Sequence, residues 1–200
     1  MILRSSPASP FGRKCKISAK LLGLMDKIEV TRTNTMDADD PIRKENPLGK
    51  IPALILNDGT CIFDSPVICE YLDAQAGGGK IIPQGDARWG ALTLQALCDG
   101  LLDAAILQVY EKRFRPEEIR HQEWVDYQSG KVDRGLAYLE ANPPVTPDTP
   151  DIGHITLACV LGYLDFRFEG AWREGNPNLV QWLDRFADAN AAFGETTPHD

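Results

Sequence analysis

The sequence lacks the long apolar run and the excess of positive charge that mark membrane-spanning and nucleic-acid-binding proteins. No segment approaches the roughly 18 consecutive apolar residues of a spanning helix, and residues 1–7 lack the apolar core of a signal peptide. The 200 residues carry 21 Lys and Arg against 29 Asp and Glu, a net charge of −8. This balance disfavours nucleic acid or an anionic membrane as a partner, so we expect a cytoplasmic protein.

Cysteine and histidine are too few and too scattered for a metal site or a disulfide framework. The cysteines form no C-x-x-C pair, their number is odd, and the three histidines lack metal-ligand spacing. We therefore predict no metal centre. Apolar neighbours predict buried free thiols at all five cysteines: Cys15, Cys61, Cys69, Cys98 and Cys159.

The first 76 residues alternate strand and helix patterns. Ser9 is a good N-cap and Pro10 fits the first position of a helix. Two short apolar runs, residues 53–56 and 60–63, flank an Asn-Asp-Gly turn that is typical of a hairpin. The predicted order β-α-β-α-β-β-α implies a small mixed sheet covered by helices.

The chain changes character after residue 76. Residues 77–86 begin with three glycines and predict a linker, and strand patterns do not recur beyond it. Residues 87–200 hold only helical patterns, and the nearly continuous apolar stretch 155–168 predicts a helix buried in the middle of a bundle. The sequence thus predicts an α/β domain over residues 1–76 and an all-α domain over residues 87–200.

The most informative motif is Asn-Pro-Leu-Gly-Lys-Ile-Pro at residues 46–52. Pro52 stands where a strand begins, a position that tolerates a residue without an N–H donor. A cis peptide bond there, which the sequence leaves open, turns the backbone of Ile51 towards a ligand. Asp64 and Ser65 open a helix, and a helix N-terminus favours a carboxylate. The combination predicts a site for a peptide-like ligand, and an ordinary turn before a strand is the alternative.

Taken together, these motifs make the chain resemble a glutathione S-transferase over essentially its whole length. The resemblance implies a thioredoxin-like N-terminal domain, an α-helical C-terminal domain and a homodimer. It also implies glutathione as the co-substrate and conjugation of its thiolate to small hydrophobic electrophiles. Four segments carry the likeness: Ser-Pro-Phe-Gly-Arg-Lys at 9–14, residues 46–52, Phe-Asp-Ser at 63–65, and Leu-Gly-Tyr-Leu-Asp-Phe-Arg at 161–167.

The resemblance assigns glutathione contacts by motif position. It implies that the backbone of Ile51, the residue before Pro52, pairs with the cysteinyl part of glutathione. Asp64 and Ser65 match the pair that holds the γ-glutamyl end, and Lys50 stands where some members contact the backbone or the glycyl end. For Ser65, simple helix capping is the alternative role.

The resemblance also implies a hydroxyl that donates to the glutathione sulfur and stabilises the thiolate, because a free thiol has a pKa of about 8.5. Ser9 is our candidate, since it stands where cysteine-type members carry their cysteine. Ser5 and Ser6 are alternatives, and Ser9 has helix capping as its alternative role. Arg13, one turn into the helix, either lowers the thiol pKa by its charge or is structural.

The electrophile is expected to bind between the domains, against the long helix after the linker. Trp89, Tyr110 and Phe114 are candidate lining residues, with core or dimer contacts as the alternative. Asp99 and Asp103 lie on the same helix, and one of them could approach a glutathione ammonium across the dimer. The sequence does not identify the electrophile.

Two other activities stay open at the level of the sequence. A glutathione-dependent reductase of disulfides or peroxides is one, although position 9 is not a cysteine. A glutathione-binding interaction module without catalysis is the other.

The start of the buried helix departs from the family pattern Ser/Thr-x-x-Asp, because it reads Asp151-Ile152-Gly153-His154. We expect Asp151 to cap this helix, whereas His154 cannot play the part of the acid in the pattern.

Overall fold

The computed structural model describes residues 1–200 and begins with a region of alternating strands and helices. The order matches the predicted β-α-β-α-β-β-α, so the predicted thioredoxin-like fold of this region is confirmed. The elements are β1 (Ile2–Ser5), α1 (Pro10–Leu21), β2 (Glu29–Arg32), α2 (Ile42–Glu45), β3 (Ala53–Ile55), β4 (Cys61–Ile62) and α3 (Ser65–Gln75).

Only helices follow, as the sequence predicts. They are α4 (Ala87–Phe114), α5 (Gln122–Ala141), α6 (Ile152–Phe168), α7 (Pro177–Ala189) and α8 (Ala191–Gly194). Short 3₁₀ turns lie at Met25–Lys27, Glu117–Ile119 and Ala171–Arg173.

The four strands form one mixed sheet in the order β2-β1-β3-β4. Strand β1 pairs in parallel with β2, and β3 pairs antiparallel with both β1 and β4. A parallel pair needs a crossover connection, and α1 supplies it. Strand β1 therefore lies inside the sheet, and the loop that leaves it leads directly to the start of α1.

Helix α1 begins where its sequence predicts. The Ser9 hydroxyl oxygen accepts a hydrogen bond from the Gly12 N–H at 3.1 Å, and Pro10 is the first helical residue. Gly12 permits close packing of the first turn on the end of β1, because a Cβ at this position would collide with the Ser5 Oγ. The start of α1 is thus held against the sheet beside the loop of residues 6–9.

The segment after α3 is held by one buried carboxylate. Asp73 accepts hydrogen bonds from the N–H groups of Gly79, Lys80 and Ile81 at 2.7–2.9 Å. The Ile81 carbonyl then accepts from the Ile152 N–H at 2.8 Å, which joins the segment to α6. Residues 77–86 contain no helix or strand, and the predicted domain boundary there stays a prediction.

Helix α4 is the one helix long and apolar enough to cross a membrane, although it contains no uninterrupted apolar run of that length. The run is broken by polar residues such as Gln95 and Asp99, although the composition over 18 residues stays apolar. In the structure α4 packs along α5 and α6. Its buried side chains, among them Leu101 and Leu102, form part of the core.

Helix α6 is the central helix of the bundle, and twelve of its 17 residues are buried. Its Asp151 side chain accepts from the His154 N–H at 3.1 Å and lies 2.6 Å from the Nδ1 atom of the His154 ring. The other ring nitrogen lies 2.9 Å from the Val145 carbonyl oxygen. His154 therefore supports the cap after all, by contacting the side chain of Asp151 and the preceding loop.

Two apolar cores fill the molecule, and one of them crosses between its two regions. The first lies among α4, α5, α6 and α7. The second contains Leu3 and Ile68 under the sheet together with Ile152, Ile155 and Cys159 of α6. All five cysteines are free thiols; four are buried as predicted, whereas Cys61 on β4 is half-buried.

Candidate active site

A cavity of about 860 Å³ lies between the sheet region and the helices. We call its two sides the N-terminal wall and the helical wall. The N-terminal wall consists of residues 6–11, 32–36, 46, 48–52 and 63–66. The helical wall consists of Asp99, Asp103, Ile106, Val109, Tyr110, Arg113, Phe114, Tyr163, Arg167, His199 and Asp200.

The turn at residues 46–50 is shaped by one buried asparagine. The Asn46 Oδ1 accepts from the Leu48 N–H at 3.0 Å, and its Nδ2 donates to the Lys50 carbonyl at 2.9 Å. Gly49 adopts a positive φ of 59°, which a side chain would oppose. Asn46 and Gly49 therefore fix the path by which the chain enters Ile51.

Ile51 presents unpaired backbone groups at the N-terminal wall. The Ile51–Pro52 peptide bond is cis. Neither the N–H nor the carbonyl of Ile51 has a hydrogen-bond partner within the protein. The exposed side chain of Lys50 has no partner either, and both residues line the cavity. The site thus offers one backbone donor, one backbone acceptor and one cation.

Asp64 and Ser65 add two more unpartnered polar groups. Helix α3 begins at Ser65, so Asp64 and not Ser65 occupies the N-cap position. The Asp64 side chain makes no capping hydrogen bond, and the Ser65 hydroxyl makes none. Ser65 is only 2% exposed, yet both residues line the cavity. Capping does not occupy the Ser65 hydroxyl, which corrects the capping interpretation.

The three candidate serines differ in their access to the cavity. Ser9 lines it, and its oxygen already accepts the Gly12 N–H, which leaves the O–H proton free to donate. Ser6 lines the cavity as well, and its side chain makes no hydrogen bond. Ser5 is 1% exposed, lies behind the first turn of α1 and does not line the cavity.

Arg13 is buried away from the cavity. Its guanidinium donates to the Phe193 carbonyl at 2.7 Å and to the Thr196 hydroxyl at 3.3 Å. It also lies 4.0 Å from the centre of the Phe193 ring. Burial lowers the pKa of Arg13. Arg13 joins α1 to α8 and to the residue Thr196 that follows it, so the structural alternative describes it.

A buried ion pair joins α1, whose first residues belong to the N-terminal wall, to α4 of the helical wall. The Lys14 Nζ lies 2.6 and 2.8 Å from the two Asp99 carboxylate oxygens, and the Lys14 side chain is fully buried. Burial opposes the charged form of Lys14, but Asp99 outweighs it and the pKa of Lys14 is raised. Burial raises the pKa of Asp99, and the nearby Asp103 and Asp64 carboxylates add to the rise.

Burial likewise raises the pKa of Asp103, while Lys50 opposes this rise. Asp64, Asp99 and Asp103 thus form an acidic part of the cavity within a single chain. Because only Asp99 has an ion-pair partner, this part of the cavity favours a cationic group of a ligand.

Only two of the three residues expected to bind the electrophile line the cavity. Tyr110 and Phe114 line the cavity, with ring centres 5.0 Å apart in an edge-to-face arrangement. Trp89 is 68% exposed and lies outside the lining, so its assignment to the cavity is wrong. It lies at the first turn of α4, whereas the lining residues follow from Asp99 onwards.

The polar side chains of the helical wall that follow Tyr110 in the chain are not identified from the sequence. They are Arg113, Tyr163, Arg167, His199 and Asp200. Tyr163 and Arg167 lie within a stretch that the sequence predicts as a buried helix, with no ligand contact assigned to either of them, although their spacing of four residues puts them on one face. Burial raises the pKa of Tyr163 to about 12, so its hydroxyl is a hydrogen-bond donor.

Comparisons with known proteins agree with this geometry. Residues 8–75 match the family described as the glutathione S-transferase N-terminal domain, and residues 122–185 match its C-terminal domain. An Escherichia coli relative, the uncharacterized GST-like protein YibF, is 31% identical over 203 residues, which cover 99% of this chain and 98% of that protein. The chain belongs to the glutathione S-transferase family.

Solved structures of this family superpose on the whole chain. A glutathione S-transferase from Methylobacillus flagellatus with glutathione bound is 32% identical, with a TM-score of 0.91 and 99% coverage of both chains. A glutathione transferase family member from Pseudomonas fluorescens Pf-5, also with bound glutathione, is 37% identical. Its TM-score is 0.90, and the match covers 100% of this chain and 99% of that one.

Proposed function

We propose that this protein is a cytoplasmic, homodimeric glutathione transferase that conjugates the glutathione thiolate to small hydrophobic electrophiles. One observation carries the proposal: the Ile51 backbone, the Asp64 carboxylate and the Ser65 hydroxyl all lack partners and all line one cavity. Buried or half-buried polar groups are normally paired, so the unpaired groups of half-buried Ile51 and buried Ser65 point to a ligand, and the exposed Asp64 adds a carboxylate beside them. The bound glutathione in two relatives of similar fold supports its identity.

Each part of glutathione has a matching group in the cavity. The Ile51 N–H and carbonyl pair with the backbone of the cysteinyl residue, as one strand pairs with another. Ser65 and the start of α3 bind the γ-glutamyl carboxylate, because a helix N-terminus favours an anion. Asp64 accepts hydrogen bonds from the γ-glutamyl ammonium, and the acidic surroundings strengthen this contact. Lys50 contacts the backbone or the glycyl carboxylate.

Ser9 is the group that we assign to the sulfur. Its O–H donates to the glutathione sulfur while its oxygen keeps the hydrogen bond from Gly12. The partial positive charge at the start of α1 adds to the stabilisation of the thiolate. After the thiol loses its proton, the sulfur forms a bond to the electrophilic carbon, and the leaving group departs with its electron pair. An alkene acceptor takes up a proton instead.

The structure offers less support for the other two activities. A reductase that works through a mixed disulfide needs a cysteine in the cavity, and none of the five cysteines lines it. A binding module without catalysis shares the glutathione contacts but has no need of a free hydroxyl beside the sulfur. Binding and turnover must therefore be measured separately.

The test compares glutathione binding by calorimetry with conjugation of 1-chloro-2,4-dinitrobenzene. We expect Ser9→Ala to bind glutathione almost normally but to lose about 100-fold in kcat, the usual effect of removing one donor to a developing anion. Ser9→Gly also removes the hydroxyl, while it weakens the helix cap by only a few tenths of a kcal/mol. Equal losses in Ser9→Ala and Ser9→Gly would therefore be due to the hydroxyl and not to the cap.

Ser6→Ala is the matched control for this test. If Ser6→Ala loses activity and Ser9→Ala keeps it, the assignment moves to Ser6. If wild type binds glutathione without any conjugation, the protein is a binding module. If wild type does not bind glutathione at millimolar concentration, the proposal is wrong.

A further inference from the structure

Two arginines face the cavity beyond its acidic part. Arg113 lies 14 residues after Asp99 on α4, which at about 1.5 Å per residue is about 21 Å along the helix. Arg167 reaches the same end of the cavity from α6. The intervening lining on α4 is mostly apolar, with Ile106, Val109 and Tyr110. The cavity therefore changes along its length from acidic through apolar to basic.

Neither arginine is fully paired within the protein. Arg113 makes no hydrogen bond or salt bridge, and its guanidinium lies 5.8 Å from the centre of the Tyr110 ring. The Nε of Arg167 is buried without a partner. Its Nη2 donates to the Asp200 carboxylate at 2.8 Å, and the guanidinium lies 4.0 Å from the centre of the Phe166 ring. The donors of both side chains are thus only partly used.

The Asp200 carboxylate shows which chemical group this end of the cavity holds. The hydrogen bond from Arg167 lowers the pKa of Asp200, and the charges of Arg167, Arg113 and His199 lower it further. A carboxylate at this position therefore pairs with the Arg167 guanidinium and lies within the electrostatic influence of Arg113. The Asp200 side chain is 77% exposed, and ion pairs with an exposed partner are weak, so a ligand can displace it.

We infer that the electrophile carries a carboxylate, which displaces Asp200 and binds to Arg113 and Arg167. This inference rests on the proposed transferase function and names the substrate class of the same cavity. The apolar middle of the cavity holds the body of the electrophile, and the carboxylate anchors it at the basic end. A net charge of −8 repels anions from most of the surface, so an anionic substrate needs a local pair of cations.

The test uses a matched pair of electrophiles, 4-fluoro-3-nitrobenzoate and 4-fluoro-3-nitrobenzamide. In both, the thiolate forms a C–S bond at the ring carbon that bears fluorine, and fluoride leaves with the bonding electron pair. Each kcat/KM is divided by the uncatalysed rate constant with glutathione, which removes the difference in intrinsic reactivity. We expect wild type to prefer the benzoate by about tenfold or more, the effect of one hydrogen bond to a charged group.

Arg113→Gln tests the site without disturbing the core, because Arg113 is exposed and makes no hydrogen bond. We expect this variant to lose most of the preference through a higher KM for the benzoate. Lys112→Gln is the control, since it removes the same charge from a neighbouring residue outside the cavity. Asp200→Asn should lower the KM for the benzoate and leave the KM for the benzamide unchanged.

Binding of the two glutathione conjugates, measured by calorimetry, separates this inference from the proposed function. Tighter binding of the carboxylated conjugate, lost in Arg113→Gln, supports the inference even if turnover is absent. Equal binding of both conjugates, or equal loss in Arg113→Gln and Lys112→Gln, overturns it while leaving the transferase intact. A benzoate preference that persists in Arg113→Gln also overturns it and points to Lys50 or Arg32 on the N-terminal wall.

Discussion

The two walls of the cavity are built in different ways. The N-terminal wall presents backbone groups and helix starts, namely the Ile51 peptide, the Asp64-Ser65 start of α3 and the Ser9 cap of α1. The helical wall presents only side chains, which α4, α6 and residues 199–200 bring together. Backbone geometry tolerates many changes of sequence, whereas a wall of side chains changes with each substitution. The first wall therefore suits a constant ligand, and the second suits a variable one.

The largest effect is expected where the walls are joined, at the Lys14–Asp99 ion pair. Asp99→Asn leaves the Lys14 charge buried without its partner, so we expect a loss of roughly 3 kcal/mol in the free energy of unfolding. Urea denaturation measures this loss. A loss of this size would show that the two walls depend on each other for stability, although they are built differently.

Asp103→Asn is the control for this experiment. Asp103 lies one turn further along α4 and lines the same cavity, but it has no ion-pair partner. We expect its unfolding free energy to stay within about 0.5 kcal/mol of wild type, as for substitutions that break no contact. Equal losses in Asp99→Asn and Asp103→Asn would mean that the ion pair does not join the walls.

A smaller effect, confined to one wall, is expected from Ser65→Ala. Removing the proposed hydrogen bond to the charged γ-glutamyl carboxylate should raise the KM for glutathione by about tenfold or more. The ratio of kcat/KM for two different electrophiles should not change, because Ser65 belongs to the N-terminal wall. A shift in that ratio would contradict the division of the cavity into two functional walls.

The smallest effect concerns the start of α6, which carries part of the helical wall. The hydrogen bonds from His154 keep the pKa of Asp151 low despite its burial. A lowered folded-state pKa stabilises the protein above the unfolded-state pKa, and this contribution is lost as the pH falls through the folded-state value. Asp151→Asn keeps a good N-cap but cannot ionise, so its unfolding free energy should vary less with pH in acid.

His154→Ala provides the complementary measurement. It should cost about 1 kcal/mol of stability near neutral pH, the typical contribution of a hydrogen bond. Thermal unfolding of each variant gives its stability at neutral pH and in acid. If the unfolding free energy of Asp151→Asn falls in acid as much as that of wild type, other carboxylates, and not this cap, are responsible for the loss of stability.

The N-terminal wall could be predicted from the sequence because its signals are local. Asn46 and Gly49 shape a turn of a few residues, and Asp64 and Ser65 are adjacent to the helix that they start. The sequence offers Ser65 as a helix cap, whereas Asp64 holds the N-cap position, because Asp and Ser are equally good N-caps. Local patterns therefore identify the elements but not the exact residue at which each begins.

The helical wall could not be predicted, because its residues are distant in the chain. Arg113 and Arg167 are 54 positions apart and meet only through the packing of α4 on α6. Trp89 was assigned to the cavity from its aromatic side chain, yet its position on the first turn of α4 leaves it exposed. Which residues of a long helix line a cavity depends on tertiary packing, and periodicity alone does not determine it.

The core beneath the sheet has a consequence for how this chain can be altered. Ile152, Ile155 and Cys159 of α6 complete that core, so the first 76 residues do not bury their own apolar surface. We expect an isolated fragment of these residues to aggregate, and a chimera with the helices of a distant relative to fold poorly. New substrate preferences are then reached by single substitutions along α4 and α6, and not by exchange of whole domains.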